Sequence, residues 1–235
     1  MTWLSEALQA CILTEDVEGY LLGRGAREES LVSDGAVTWK RLEEPAPNAD
    51  FRQMAGPYGE KFEGYSICPV WSPRGVIIGF EARDTHRKYI RDFRLPEAAW
   101  SPFFIGLRRA LPKLWAGGDV WIVEGQFDLY PLEWAVPETD CVLATVRAKL
   151  SHKHIEFLKR FCKGWVHMVY DQDDTGRKAT HGYTDDTGKR RGGALESLER
   201  VGLKCRDVPY MGAKDPGEIW DKGGAAGMQA VFSAI

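Results

Sequence analysis

Four carboxylates in this chain have the type and spacing to do chemistry together: Glu124, Asp128, Asp171 and Asp173. Glu124–Gly125–Gln126–Phe127–Asp128 follows the apolar run Val120–Trp121–Ile122–Val123, and Asp171–Gln172–Asp173–Asp174–Thr175–Gly176–Arg177 follows Val166–His167–Met168–Val169–Tyr170. A short β-branched run closed by an acid reads as a strand buried on both faces that empties into a helix. In open α/β sheets the crevice outside the carboxyl ends of the strands is where ligands sit. Asp171 and Asp173 are two apart, so in extended chain both side chains project to one side, and Glu124 converges from the neighbouring strand end. Three hard oxygen donors with open positions suit Mg²⁺ or Mn²⁺, which take their remaining ligands from water and substrate phosphates. Gly125 is expected to let the chain turn sharply, and Gly176 to allow close approach where the next helix begins.

Each acid also has a plainer explanation. Asp128 and Asp174 fall in the first turns of expected helices, where the macrodipole favours a negative charge whatever its chemistry. Lys214–Asp215–Pro216–Gly217–Glu218 is a capping sequence, with Asp215 as N-cap, Pro at the first helical position and Glu at the third. Asp215 nonetheless follows a strand, as the other acids do, and is a candidate third acidic element.

The elements that must position these groups follow from periodicity. Strands are expected at Asp119–Val123, Asp140–Ala144, Trp165–Tyr170 and Leu203–Val208. Helices are expected at Phe127–Ala135, Ser151–Phe161, Ala194–Val201 and Asp215–Lys222. Alternation with short connections predicts a parallel sheet with helices on its faces. Upstream, Trp3–Leu13 has a helical period, and Thr14 with Glu15 and Asp16 reads as the N-cap of a second helix that Gly23–Arg24–Gly25 stops. Residues 35–64 read as loop or weak strand. Tyr65–Trp71 and Val76–Arg83 flank the turn sequence Ser72–Pro73–Arg74–Gly75 and make a β-hairpin. Phe103–Trp115 reads as a helix that Pro112 should bend or end.

Bulk properties leave this picture open. The chain has 235 residues and a formal net charge of −3, which argues against a protein that coats nucleic acid by charge alone. Five scattered cysteines without a C-x-x-C pair argue against a zinc ribbon or disulfide framework and for a reduced cytoplasm. The first residues have neither the basic region nor the apolar core of a signal peptide, and no stretch is apolar for long enough to span a membrane. Positive charge is local. Arg83, Arg87, Lys88, Arg91 and Arg94 form one cluster; Arg147, Lys149, Lys153, Lys159, Arg160 and Lys163 with His152 and His154 form another around a helix, where a solvated face is the simpler reading. Of the nine tryptophans, Trp71 and Trp121 lie in apolar strands and are expected in the core.

Glu124–Gly125–x–x–Asp128 and Asp171–x–Asp173–x–x–Gly176–Arg177 resemble the two halves of the TOPRIM motif set, shared by DnaG-type primases, topoisomerases and some nucleases. The resemblance is to DnaG-type primases in particular. It extends to Tyr20–Leu21–Leu22–Gly23–Arg24–Gly25, to Pro69–x–x–x–Pro73–Arg74–Gly75–x–Ile77–Ile78–Gly79–Phe80 with Arg83, to Lys88–Tyr89–Ile90, to Phe104–Ile105–Gly106–Leu107 and to Lys214–Asp215–Pro216, about residues 12 to 222. Glu81–Ala82 stands where that family has Gly-Gly, and Thr180–Gly192 looks like an insertion. The family's zinc-ribbon and helicase-binding regions have no counterpart in this sequence.

The resemblance implies an α/β fold: a TOPRIM parallel sheet with helices on both faces (residues 118–235), preceded by a smaller α+β primase N-terminal subdomain (residues 1–117). It implies a compact, phage-like or stand-alone primase core making short RNA primers on single-stranded DNA by Mg²⁺- or Mn²⁺-dependent nucleotidyl transfer. Glu124, Asp171 and Asp173 would be catalytic and bind metal, with Asp128 and Asp215 in support. Arg83, Lys88, Arg91, Arg177, Lys189 and Arg190 would contact nucleotide or template. The implied partners are single-stranded DNA, nucleoside triphosphates, a replicative helicase and a separate zinc-bearing recognition protein, in the cytoplasm and away from membranes. The rival readings are a TOPRIM-type nuclease and a non-catalytic replication accessory protein that binds single-stranded DNA.

Overall fold

Two sheets organise the chain. The computed structural model describes residues 3–39 and 64–232, except Ala10, Lys88, Tyr89, Pro96, Glu97 and Trp100. Among these residues, α1 (Trp3–Gln9), α2 (Glu15–Gly23) and α3 (Glu28–Asp34) lead into β1 (Val37–Thr38), β2 (Ser66–Trp71), β3 (Ile77–Arg83) and β4 (Ile90–Arg94), which form an antiparallel sheet in that order. Then come α4 (Leu107–Ala116), β5 (Val120–Val123), α5 (Gln126–Leu132), β6 (Cys141–Ala144), α6 (His152–Phe161), β7 (Val166–Met168) and α7 (Asp174–His181). A hairpin of β8 (Gly182–Thr184) and β9 (Arg190–Gly192), then α8 (Ala194–Arg200), β10 (Cys205–Asp207) and α9 (Pro216–Phe232, broken at Gly224), complete the chain.

The second sheet is parallel, in the order β10–β7–β5–β6. Its strands divide alternate residues between two cores, as a doubly covered sheet must. Val120, Ile122, Cys141, Leu143, Val166 and Met168 pack with α4, α6 and α8. Trp121, Val123, Val142 and Ala144 pack with α5, α9 and the N-terminal helices. The second of these cores also takes in Ile67, Val70, Ile78 and Phe80 of the antiparallel sheet, so one apolar cluster runs between the two sheets. Burial of this kind contributes roughly 1.5–3 kcal/mol per large apolar side chain.

The expected helices and parallel strands lie within a few residues of those observed; α9 alone runs well past its expected end. Several expectations do need correction. Thr14 has the extended backbone of an N-cap, yet its hydroxyl meets Thr38 Oγ1 at 2.9 Å instead of capping α2. The first helix stops at Gln9, and α3, which the sequence reading passed over, ends on Gly35 in the left-handed conformation. The basic stretch after Arg83 contains a strand, β4, paired with β3. Trp121 is buried but Trp71 is only half-buried, its indole donating to Asp34 O at 2.8 Å. His154 leaves the basic helix face altogether: it is buried and closes a capping box with Ser151 at the start of α6. Residues 40–63, within the stretch read as loop, lie outside the described residues.

Arg109 on α4 ties α3 to the end of α5. It makes a two-pronged pair with Asp34 (2.9 and 2.8 Å) and a further pair with Glu133, while Ser30 Oγ donates to Glu133 at 3.1 Å. Asp34 is almost wholly buried, so the bond geometry offsets a large desolvation cost. This anchor sets the helix that carries Asp128.

Candidate metal and nucleotide site

The acids gather at the carboxyl ends of the parallel strands. Glu124 is the residue after β5, and Asp171 lies just past the end of β7, its neighbour in the sheet. Asp171 N–H donates to Glu124 Oε1 at 3.3 Å, so one carboxylate rests against the chain that bears the next. Asp173 is the N-cap of α7, its Oδ1 accepting from Thr175 N (2.9 Å) and Gly176 N (3.0 Å). A side chain at Gly176 would place its Cβ 2.0 Å from Asp171 O, so glycine is what lets α7 start against the Asp171 peptide. Gly125 carries no such requirement. Its backbone is extended and a Cβ there would meet only Asp128 Oδ2, at 3.4 Å, which corrects the expectation of a sharp glycine turn.

Asp128 lies in the first turn of α5, and its Oδ1 accepts from Gly217 N at 3.2 Å, in the first turn of α9. Asp215 caps that helix, accepting from Glu218 N at 2.7 Å, while Glu218 reaches back to Lys214 N at 2.6 Å. The expected capping sequence is therefore a real cap, with the returning carboxylate one residue upstream of its usual target. It brings Asp215 and Asp128 to the same helix start.

Burial first, and mutual repulsion second, raise three of these acids. Burial, then the charge of Asp171, pushes Glu124 up to about 7. Burial, then Asp215 and Asp171, pushes Asp128 up to about 8. Asp171 is raised by burial against the pull of Lys214, and Asp173 is lowered, chiefly by the Gly176 N–H. Carboxylates that raise one another in this way are short of positive charge. Among the described residues the cation paired with them is Lys214, whose ammonium lies 3.1 Å from Asp171 Oδ2 and 3.4 Å from Asp173 Oδ2. Among the described residues no three Asp, Glu, His or Cys side chains, as they stand, close on a single ion. The donor set, hard carboxylate oxygens short of counter-charge, is nevertheless of the kind that Mg²⁺ or Mn²⁺ takes.

Of the expected phosphate-contacting residues, Arg83 packs against the ring that precedes Asp128. Its guanidinium lies 4.0 Å from the centre of the Phe127 ring, one residue before Asp128, and its Nε is buried without a hydrogen-bond partner among the described residues. Arg24, which sequence reasoning did not single out as a site residue, lies over the same ring at 5.5 Å and pairs with Asp221 at 2.5 Å. Lys88 lies outside the described residues, as does the side chain of Arg91. Arg177 is exposed and pairs with Asp174 at 3.2 Å. Lys189 and Arg190 are not beside the acids. They sit on the β8–β9 hairpin at the other end of α7, a helix roughly 12 Å long at 1.5 Å per residue. Thr180–Gly192, read as an insertion, thus comprises the last turn of α7 and this hairpin. Lys214 was passed over as a site residue; its place beside Asp215 in a strand-end loop was the available signal.

Residues 121–219 match the family model described as Toprim-like. The chain has the fold of a DnaG-type primase catalytic core. The fold likeness is to the DnaG primase catalytic domain solved bound to single-stranded DNA, with a TM-score of 0.71 and 18% identity over 98% of this chain and 78% of that one. In sequence, the chain is 34% identical over 130 residues to the DNA primase of Aquifex aeolicus, covering 53% of this chain and 25% of that protein. It is 22% identical over 235 residues to the DNA primase of Deinococcus radiodurans, covering 91% of this chain and 39% of the relative. The chain therefore spans well under half the length of these two curated relatives. Among its described residues, no helix is long and apolar enough to cross a membrane.

Proposed function

We propose that the protein is a DNA primase that joins ribonucleotides on a single-stranded DNA template. The observation that carries this reading is the meeting of Glu124 and Asp171 at adjacent parallel strand ends, with Asp173, Asp128 and Asp215 around them. The primases of Aquifex aeolicus and Deinococcus radiodurans and the DNA-bound DnaG domain support it.

In the proposed reaction a 3′-hydroxyl gives its proton to solvent as its oxygen bonds to the α-phosphorus of a nucleoside triphosphate, the bridging α–β P–O bond breaks, and pyrophosphate leaves with that electron pair. Glu124, Asp171 and Asp173 would hold Mg²⁺ or Mn²⁺, with Asp128 and Asp215 in support. The bound ions would neutralise charge on the phosphate oxygens. The protein's own part is placement. The strand ends fix the acids, the α9 N-terminus holds Asp128, and Arg83 beside Phe127 offers a guanidinium to phosphate. Lys88 and Arg91 are proposed to join Arg83, and Arg177, Lys189 and Arg190 to hold template further out. We assign placement of the nucleotide to residues 1–117, and the acids with the outer template contacts to residues 118–235.

The test is incubation of the chain with labelled ribonucleotides, a panel of single-stranded DNA templates and Mg²⁺ or Mn²⁺, with product length read on a gel. Metal-dependent oligoribonucleotides that vanish in Glu124→Gln are the expected result. Degradation of labelled nucleic acid without incorporation would turn the reading to a nuclease, and template binding without either would turn it to an accessory protein.

A further inference from the structure

The Lys214 main chain is pinned while its side chain is loose. Lys214 N donates to Glu218 Oε2 at 2.6 Å, and Lys214 O accepts from Gln172 N at 2.7 Å and from Tyr210 OH at 3.1 Å. Three bonds fix the pivot at the mouth of the acidic group. The side chain beyond it is 53% exposed, and its only described ion-pair partners are Asp171 and Asp173. A four-carbon stem on a fixed base can deliver its ammonium into the cluster and withdraw it without moving the backbone.

That ammonium stands between two of the three carboxylates assigned to the cation. A lysine and a divalent ion cannot both take Asp171 Oδ2 and Asp173 Oδ2. The lysine supplies one positive charge on a mobile stem, and an ion supplies two at shorter range. The resident ammonium, 3.1 Å from Asp171 Oδ2 and 3.4 Å from Asp173 Oδ2, relieves part of the repulsion between these neighbouring carboxylates.

We infer that Lys214 is a built-in counter-ion that holds the acids together before metal arrives and competes with the divalent cation for Asp171 and Asp173. It is a positioning residue: it sets how much metal is needed, and it leaves as the ion enters. The inference rests on the reading of the acids as an ion site.

Direct Mn²⁺ binding tests it, with free Mn²⁺ measured by electron paramagnetic resonance on the full chain and no nucleotide present. Lys214→Met should bind Mn²⁺ about two- to fivefold more tightly than wild type, the range expected for loss of a competing, partly exposed ion pair. Lys214→Arg, which keeps the charge, should stay close to wild type, and Glu124→Gln should bind more weakly. Binding in Lys214→Met equal to or weaker than wild type, with Glu124→Gln still impaired, would overturn the role of Lys214 and leave the ion site standing. No Mn²⁺ binding by any of the four proteins would overturn both.

Discussion

The Asp171 N–H donates to Glu124 Oε1 over 3.3 Å, joining the chain leaving β7 to the carboxylate that ends β5. Parallel pairing of Val120–Ile122 with Val166–Met168 puts the two strand ends side by side, and the bond follows from that register. Glu124→Gln keeps an oxygen acceptor there and removes the charge. Glu124 is held near 7, above the usual carboxylate range, so at pH 8 its ionised form is carried at a cost. The expected outcome is a melting temperature equal to or slightly above wild type, with ribonucleotide incorporation lower by at least about 100-fold, equivalent to some 2.7 kcal/mol of barrier. Thermal melts and the gel assay on the same preparation check it.

Gly176→Ala should harm both fold and site. Its new Cβ would fall 2.0 Å from a backbone oxygen of Asp171, so α7 or the Asp171 peptide must move. A loss of about 1–3 kcal/mol in urea unfolding is expected, together with weaker Mn²⁺ binding. Alanine at Gly125, where the nearest contact is 3.4 Å, should cost far less.

Acid should loosen α6 through His154. Ser151 N–H donates to His154 Nδ1 at 3.1 Å, and Nε2 faces the Phe103 backbone, 3.1 Å from its N–H and 3.2 Å from its carbonyl oxygen. The charged ring would have a proton on Nδ1, facing the Ser151 N–H. Burial, against a backbone bond from Phe103 that pulls the other way, lowers His154 to about 4 from 6.5. With the folded value depressed, the neutral ring's contribution is complete above pH 6.5 and is lost as pH falls toward 4. That loss amounts to about 3 kcal/mol. His154→Gln, which supplies the usual third residue of a capping box, should flatten the difference between urea midpoints at pH 7 and pH 4.5.

Arg109→Met should be the most destabilising of these substitutions. Asp34 and Glu133 would keep their charges in the interior with their shared cation gone. A loss of about 3–5 kcal/mol is expected in equilibrium unfolding. Arg109→Met with Asp34→Leu and Glu133→Leu should recover much of it.

Removing Lys189 and Arg190 together should weaken single-stranded DNA binding without touching the acids. Arg190 reaches the carbonyl of His181 at 2.7 Å, at the far end of α7. If the hairpin grips phosphate, the slope of log affinity against log salt should fall by about 1–2 in the double alanine variant. An unchanged slope in a fluorescence titration would remove the hairpin from the template path.

The sequence by itself determined the parallel strands and their helices, because each strand is a short apolar run bounded by charge or glycine and each helix has its own period. It also determined which acids stand at strand ends, since Glu124 and Asp171 follow those runs directly. It could not decide strand order, and so could not decide that β5 lies between β7 and β6 with Glu124 against Asp171. Only the tertiary structure brought Lys214 between Asp171 and Asp173, laid Arg24 and Arg83 on Phe127, and buried His154 in a cap. The physical reason is common to all three: local periodicity is set by neighbours a few residues apart, whereas a charge finds its partner through packing between segments tens of residues distant.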